Sequence, residues 1–169
     1  MIFKRRQRNT EQTYKEAYRS FFQICMRYCN TRPLAEEAFN DGMLKYFEYE
    51  KKIKINPDTK FALIKKILIN TCLDSVRKNK LQFAEFNAEP KTNENGLNEM
   101  VYKEMKDELF QVIQNLAPQT KVIFNLFVFE GWSHTEIAKK FEISENTSYW
   151  HVSQGKKKAL ELFQNKVER

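Results

Sequence analysis

Apolar residues recur along this chain at the three- and four-residue spacing of helices that bury one face. Tyr14, Ala17, Tyr18, Phe21, Phe22, Cys25, Tyr28 and Cys29 form the first such stripe, and Asn30-Thr31-Arg32-Pro33 interrupts it. A second stripe, Ala35, Ala38, Phe39, Met43, Tyr46 and Phe47, predicts a helix over about 34–49, with Glu36, Glu37, Asn40 and Asp41 on its opposite side. The basic loop EYEKKIKINPDTK follows and ends in an Asx/Pro turn. A third helix is expected over about 59–79, with Phe61, Ile64, Ile67, Leu68, Thr71, Cys72 and Val76 inward. Lys66, Asn70, Asp74 and Arg77 are spaced to share its polar face, and the helix ends in the run RKNK, which contains Lys78.

A second series of helices begins near Val101, the first running to about Leu116. Pro118 opens the next, with Ile123, Leu126 and Phe127 inward, and Gly131 supplies its C-terminal stop. Ser133-His134-Thr135-Glu136 has the pattern of a capping box, which predicts a short helix to Lys140. Phe141-Glu142-Ile143 makes a tight turn, and Ser144 caps a last helix to about Phe163 whose inward stripe reads Val152, Ala159, Leu160 and Phe163. A short helix, a three-residue turn and a longer helix make a helix-turn-helix. Ala138 is the small residue at the crossing, Ile137 and Ile143 fill the wedge, and Val152 packs from the second helix. An αα-corner with no nucleic-acid role shares much of this pattern.

Composition agrees with the periodicity. Only 4 Gly and 4 Pro in 169 residues suit long helices with few loops, and 41% hydrophobic residues suffice for real cores. Residues 82–108 hold 3 basic against 7 acidic residues, whereas 1–81 hold 18 against 9 and 109–169 hold 8 against 6. The middle piece, with EPKTNENG at 89–96, reads as a flexible linker. The expected architecture is therefore all-α: two small helical domains joined by a flexible linker, the C-terminal one a helix-turn-helix. The boundaries are a basic tail over 1–12, a first domain over 13–81, the linker over 82–103 and a second domain over 104–169.

The formal charge of +7 and pI near 9.2 fit a polyanionic partner such as nucleic acid. The basic N-terminus is followed by no apolar run, and no stretch approaches the length of a membrane span, so a soluble cytoplasmic protein without membrane insertion is expected. Cys25, Cys29 and Cys72 read as buried free thiols, which suits a reducing cytosol; His134 and His151 lie too far away in sequence for metal-type spacing. Catalytic residues, metal and cofactors are not expected. There is no Gly-rich phosphate loop and no nucleophile–base pair, and Glu36 and Glu37 diverge on their helix.

The outward face of the last helix carries Tyr149, Trp150, Ser153, Gln154, Lys156 and Lys157. Exposed aromatics are costly without a partner, and polar or aromatic tips followed by lysines suit a major-groove reader, base edges first and phosphates next. The alternative is that Trp150 packs on another part of the chain.

The segment NLAPQTKVIFNLFVFEGWSHTEIAKKFEISENTSYWHVSQGKKKAL resembles region 4 of extracytoplasmic-function sigma factors, of the sigma-70 family. Leu116, Pro118, Phe124, Leu126, Glu130, Gly131, Ser133, Glu136, Ile137, Ala138, Ile143, Ser144, Thr147, Ser153 and Lys158 fall in register with that pattern. FFQICMRYCNTRPLAEEAFNDGMLKYFE and KFALIKKILINTCLDSVRKNK resemble two stretches of region 2, in the family's order. The style is closest to short, Bacteroidetes-like members. The sequence departs from the family at Asn40 for Gln, Leu63 for Trp and Glu142 for a small residue, and it carries Tyr149, Trp150 and Gln154 in the recognition helix.

The resemblance implies a dissociable specificity subunit of bacterial RNA polymerase that directs promoter-specific initiation. Its partners would be core RNA polymerase, promoter DNA and an anti-sigma factor. Glu37, Asn40 and Asp41 would dock on the polymerase clamp, although a solvated acidic stripe would look the same. Lys66, Asn70, Asp74, Arg77 and Lys78, with the loop over about 50–60, would read and open the −10 element; Asp74 with Arg77 or Lys78 would equally make an ordinary surface pair. The last helix would read −35. The alternatives are a helix-turn-helix regulator that works without polymerase, and a degenerate paralogue that does not itself initiate.

Overall fold

The computed structural model describes the backbone of residues 2–79 and 108–167, and the side chains of 9–77, 108–161 and 164. The expected linker, 82–103, lies outside the described residues, as does the side chain of Lys78. The chain divides into two compact units, Met1–Ala84 and Glu85–Arg169. All regular structure among the described residues is helical, as the periodicity predicts.

The first unit packs three helices against one another: α1 (Ile2–Tyr28), α2 (Arg32–Lys52) and α3 (Lys60–Asn79). Helix α1 begins at Ile2, so the basic stretch read as a tail forms its opening turns. Thr31 caps α2, its hydroxyl accepting from the Leu34 amide at 3.5 Å, with Pro33 in the first turn, where a missing amide costs nothing. Between α2 and α3, Asn56 closes the expected Asx/Pro turn: its side chain accepts from the Asp58 amide at 3.0 Å and starts a short 3-10 turn over Pro57–Thr59. The core joins Phe22, Cys25 and Tyr28 from α1 to Ala35, Phe39, Met43 and Tyr46 from α2 and Ile64, Leu68 and Cys72 from α3. Gly42 lets α2 approach α3 closely, because a Cβ there would lie 2.7 Å from Leu68 Cδ2. The three thiols are free and buried together. Hydrogen bonds that the Cys72 thiol makes to the sulfurs of Cys25 and Cys29, then burial, push it far above its ordinary range, so it stays protonated and unreactive.

In the second unit, helical residues 108–114 (α4) precede α5 (Pro118–Val128), α6 (His134–Phe141) and α7 (Glu145–Val167). Helix α5 runs through the centre and packs chiefly on α7. Its polar residues Thr120, Lys121 and Asn125 are buried too. Asn125 Nδ2 donates to the Lys121 carbonyl at 2.9 Å, and Lys121 Nζ reaches Gln114 Oε1 at 3.1 Å. Phe124 joins Ile113 and Leu116 in an apolar cluster, with Leu109 against it. After α5 the chain reverses at Gly131, φ +71, the left-handed position that glycine fills without strain.

Candidate nucleic-acid interface

The helix-turn-helix is α6, a turn and α7. At its start the Ser133 hydroxyl accepts from the Glu136 amide at 3.2 Å, and the Glu136 carboxylate accepts from the Ser133 amide at 2.8 Å. This is the expected capping box, and it fixes where α6 begins. The Ser133 amide, then its hydroxyl, hold the Glu136 carboxyl below the usual carboxylate range.

The turn departs from expectation. Phe141 still belongs to α6, and the reversal falls on Glu142, at φ 55 and ψ 44. The Glu142 amide donates to the Ala138 carbonyl, and the Ile143 amide reaches the same oxygen at 3.1 Å. An L-residue in this left-handed conformation costs about 1–2 kcal/mol. Glu142→Gly removes that strain but adds freedom to the unfolded chain. We expect a net gain of about 0.5–1 kcal/mol, read as a higher melting temperature of the second unit. An unchanged or lower melting temperature would show that the backbone is not strained there.

Ser144 caps α7, its hydroxyl accepting from the Thr147 amide at 3.0 Å. Thr135 Oγ1 donates to Glu145 Oε1 at 2.9 Å and ties the start of α6 to the start of α7. Ile137 and Val152 are buried in the wedge, with Ile143 half-buried beside them.

The inward face of α7 differs from the apolar stripe read from the sequence. Leu160 is 59% exposed and Ala159 half-buried, while the side chain of Phe163 lies outside the described residues. Val152 of that stripe is buried as expected, and the rest of the buried face is Ser148, His151 and Gly155. Gly155 lies directly on the Phe124 ring, and His151 Nδ1 shares a hydrogen bond with Thr120 Oγ1 at 2.8 Å. Small or polar partners on α7 thus complement large ones on α5, which hydropathy alone does not show.

Burial pushes the pKa of His151 below its ordinary value of 6.5. The folded unit therefore holds it neutral while the unfolded chain takes up a proton in mild acid. The associated stability is complete above pH about 6.5 and is lost as pH falls through the lowered folded value. Melting of the second unit between pH 7.5 and 5 should show this decline, and His151→Gln, which keeps an amide near Thr120, should flatten it. An equally steep decline in the variant would assign it to other groups.

The outward face of α7 holds the residues read from the sequence. Tyr149 and Trp150 are each 56% exposed; Ser153, Lys156 and Lys157 are exposed and Gln154 half-buried. The two aromatics differ in support. Tyr149 lies on the His134 ring at 3.7 Å between centroids, whereas Trp150 meets His151 at 4.9 Å in an edge-on contact. Trp150 is not packed away in a core. The Lys156 ammonium stands 5.5 Å from the centre of the Phe127 ring.

In the first unit, Glu37, Asn40 and Asp41 lie together on the exposed side of α2. Tyr14 Oη donates to Asn40 Oδ1 at 2.7 Å, so the Asn40 carbonyl is engaged from α1. Sequence reasoning passed over Leu44, which is 61% exposed on the same stripe. The signal was available: an apolar residue three and four positions after Asp41 and Asn40, outside the core stripe. On α3, Lys66, Asp74 and Arg77 are exposed and Asn70 half-buried. Asp74 faces Lys45 of α2, with Oδ2 4.0 Å from its ammonium, and Lys45 also donates to Thr71 Oγ1 at 3.3 Å. Helix α2 runs on to Lys52, into the stretch read as a loop, and its last turn with the loop that follows exposes Tyr49 and Ile53 among Lys51, Lys52 and Lys54.

Residues 106–158 match the family described as Sigma-70, region 4. No curated protein sequence matches the chain. The fold is similar to that of the sigma factor RpoE of Bartonella quintana, solved in complex with the anti-sigma factor NepR. The TM-score is 0.55 at 16% identity, over 92% of this chain and 97% of that one. No helix among the described residues is long and apolar enough to cross a membrane, and no described group of His, Cys, Asp and Glu could hold a metal ion.

Proposed function

We propose that this chain is an extracytoplasmic-function sigma factor, of the short Bacteroidetes-like style, which binds core RNA polymerase and directs initiation at promoters through −10 and −35 elements. The observation that carries the reading is the helix-turn-helix with its outward face intact, within a segment matching sigma-70 region 4. The first unit favours a sigma factor over a free-standing regulator, since the likeness to a sigma-factor fold extends over both units. In this reading α7 enters the major groove at −35. The exposed stripe of α2 docks on polymerase, and the α3 face with the lysine-rich end of α2 and the loop that follows it engages −10. An anti-sigma factor is a further partner, as one is of the Bartonella protein.

Run-off transcription with purified core polymerase tests the proposal. Transcripts that depend on the chain and start at defined promoters are expected. Polymerase binding without initiation would favour a degenerate paralogue, and DNA binding without polymerase binding a free-standing regulator.

The division of labour along α7 gives a finer expectation. Replacing Ser153 by Ala should cost about 1–3 kcal/mol at −35 and relax base preference there. Replacing Lys157 by Ala should weaken all sequences alike and lower the salt slope by about one unit. Binding by holoenzyme at several salt concentrations separates the two. Equal effects on all sequences from both changes would sink this assignment.

A further inference from the structure

Three aromatic rings from three helices stack in one column. Phe127 of α5 faces His134 of α6 at 4.3 Å between centroids and 25° between planes. His134 in turn faces Tyr149 of α7 at 3.7 Å and 29°. His134 is only 9% exposed, and its Nδ1 shares a hydrogen bond of 2.9 Å with the hydroxyl of Ser148, which is fully buried. As the first residue of α6, beside the Ser133–Glu136 capping box, it sits on fixed backbone. The imidazole is thus held by a ring beneath it, a hydrogen bond at its edge and the capped helix end. Tyr149 is covered on one face by that imidazole yet remains 56% exposed.

We infer that His134 is a positioning residue for DNA reading: it fixes the ring of Tyr149 on the outward face of α7, so that the phenol is presented to the major groove in one orientation. This rests on the reading of α7 as the −35 helix. Ordering a free side chain on binding opposes association, whereas a ring already stacked has that cost behind it. Stacked aromatic pairs also gain beyond simple burial. Trp150, equally exposed but held only edge-on, lacks such a support. His134 itself contacts no base in this arrangement and acts through Tyr149.

The experiment uses holoenzyme formed with the full chain and a promoter library randomised at −35, with transcripts counted by sequence. Tyr149→Ala defines the base preference that this side chain carries, expected at about tenfold. His134→Leu, which fills space without a flat face, should lose the same preference. The double variant should be no worse than Tyr149→Ala alone, since effects acting through one contact do not add. His134→Phe, which restores a ring but not the hydrogen bond, should recover the preference. In the full chain, the Tyr149 ring protons should be shifted upfield by the imidazole; the shift should vanish in His134→Leu while cooperative melting persists. Should His134→Leu fail to fold, the ring shifts of the native chain and the behaviour of His134→Phe decide. Retention of the Tyr149-dependent preference in a folded His134→Leu chain, additive losses in the double variant, or an unshifted Tyr149 ring would overturn the inference. If Tyr149→Ala leaves the −35 profile unchanged while run-off activity is intact, the inference falls and the sigma-factor reading stands.

Discussion

Gly155→Ala should destabilise the second unit by about 1–2 kcal/mol and lower its melting temperature by roughly 4–16 °C. A methyl group at this position of α7 would lie 2.2 Å from Cδ2 of Phe124, with Cε2 and Cγ at 2.8 Å. These are atoms of a rigid ring, itself buried against Ile113 and Leu116, so no flexible end can swing aside. Relief needs either separation of α5 from α7 or rotation of Phe124 out of its cluster, and overpacking of this kind costs about 1–3 kcal/mol, occasionally more. Alanine recovers about 1 kcal/mol of helix propensity over glycine, which offsets part but not all of the loss. Gly42→Ala makes a useful contrast. There the nearest atom is the end of the Leu68 side chain, at 2.7 Å, which has some freedom to yield. Thermal melts followed by Trp fluorescence measure the effect, and adding Phe124→Leu to Gly155→Ala should recover part of it. A Gly155→Ala chain as stable as the native one would mean that α7 does not pack on Phe124.

The second large effect concerns polymerase. Glu37→Lys with Asp41→Lys should weaken association with core enzyme by about 2 kcal/mol or more, if these carboxylates pair with basic groups there. Both are exposed, so the change should leave the melting temperature of the first unit nearly unaltered. The exposed Leu44 on the same stripe gives the surface an apolar centre beside its charges. Leu44→Ala is therefore expected to act in the same assay while leaving the salt dependence unchanged. Co-elution of the charge-reversed chain with core polymerase at native affinity would move the docking site elsewhere.

How far the sequence reveals this molecule depends on where apolar matter alone decides. Ile64, Leu68 and Cys72 repeat every fourth residue, and all three are buried in α3. Ser133 and Glu136 identify their helix start by chemistry that needs no tertiary partner. Pattern fails where the partner is distant in sequence. Ser148, His151 and Gly155 look like surface residues until Thr120, Phe124 and His134 are set opposite them. Leu160 looks like core because nothing local says that no apolar surface covers it. Asp74 invites pairing with Arg77 along its own helix, and nothing local says that its carboxylate also comes within 4.0 Å of Lys45 on α2. The exposed residues of α7 were legible as a set, but not the stack that supports only one of its two aromatics.

The sealed thiols of the first unit have a practical consequence. Cys25, Cys29 and Cys72 all belong to residues 1–84, while both tryptophans, Trp132 and Trp150, belong to 85–169. Each unit thus carries a private reporter. A thiol-alkylating reagent can label the chain only after the first unit opens, so its reaction rate, compared with that of an unhindered thiol, measures the free energy of that opening under native conditions. Indole emission follows the other unit in the same sample. Binding of a partner can then be assigned to one unit or the other from which of the two signals it changes, with no residue substituted.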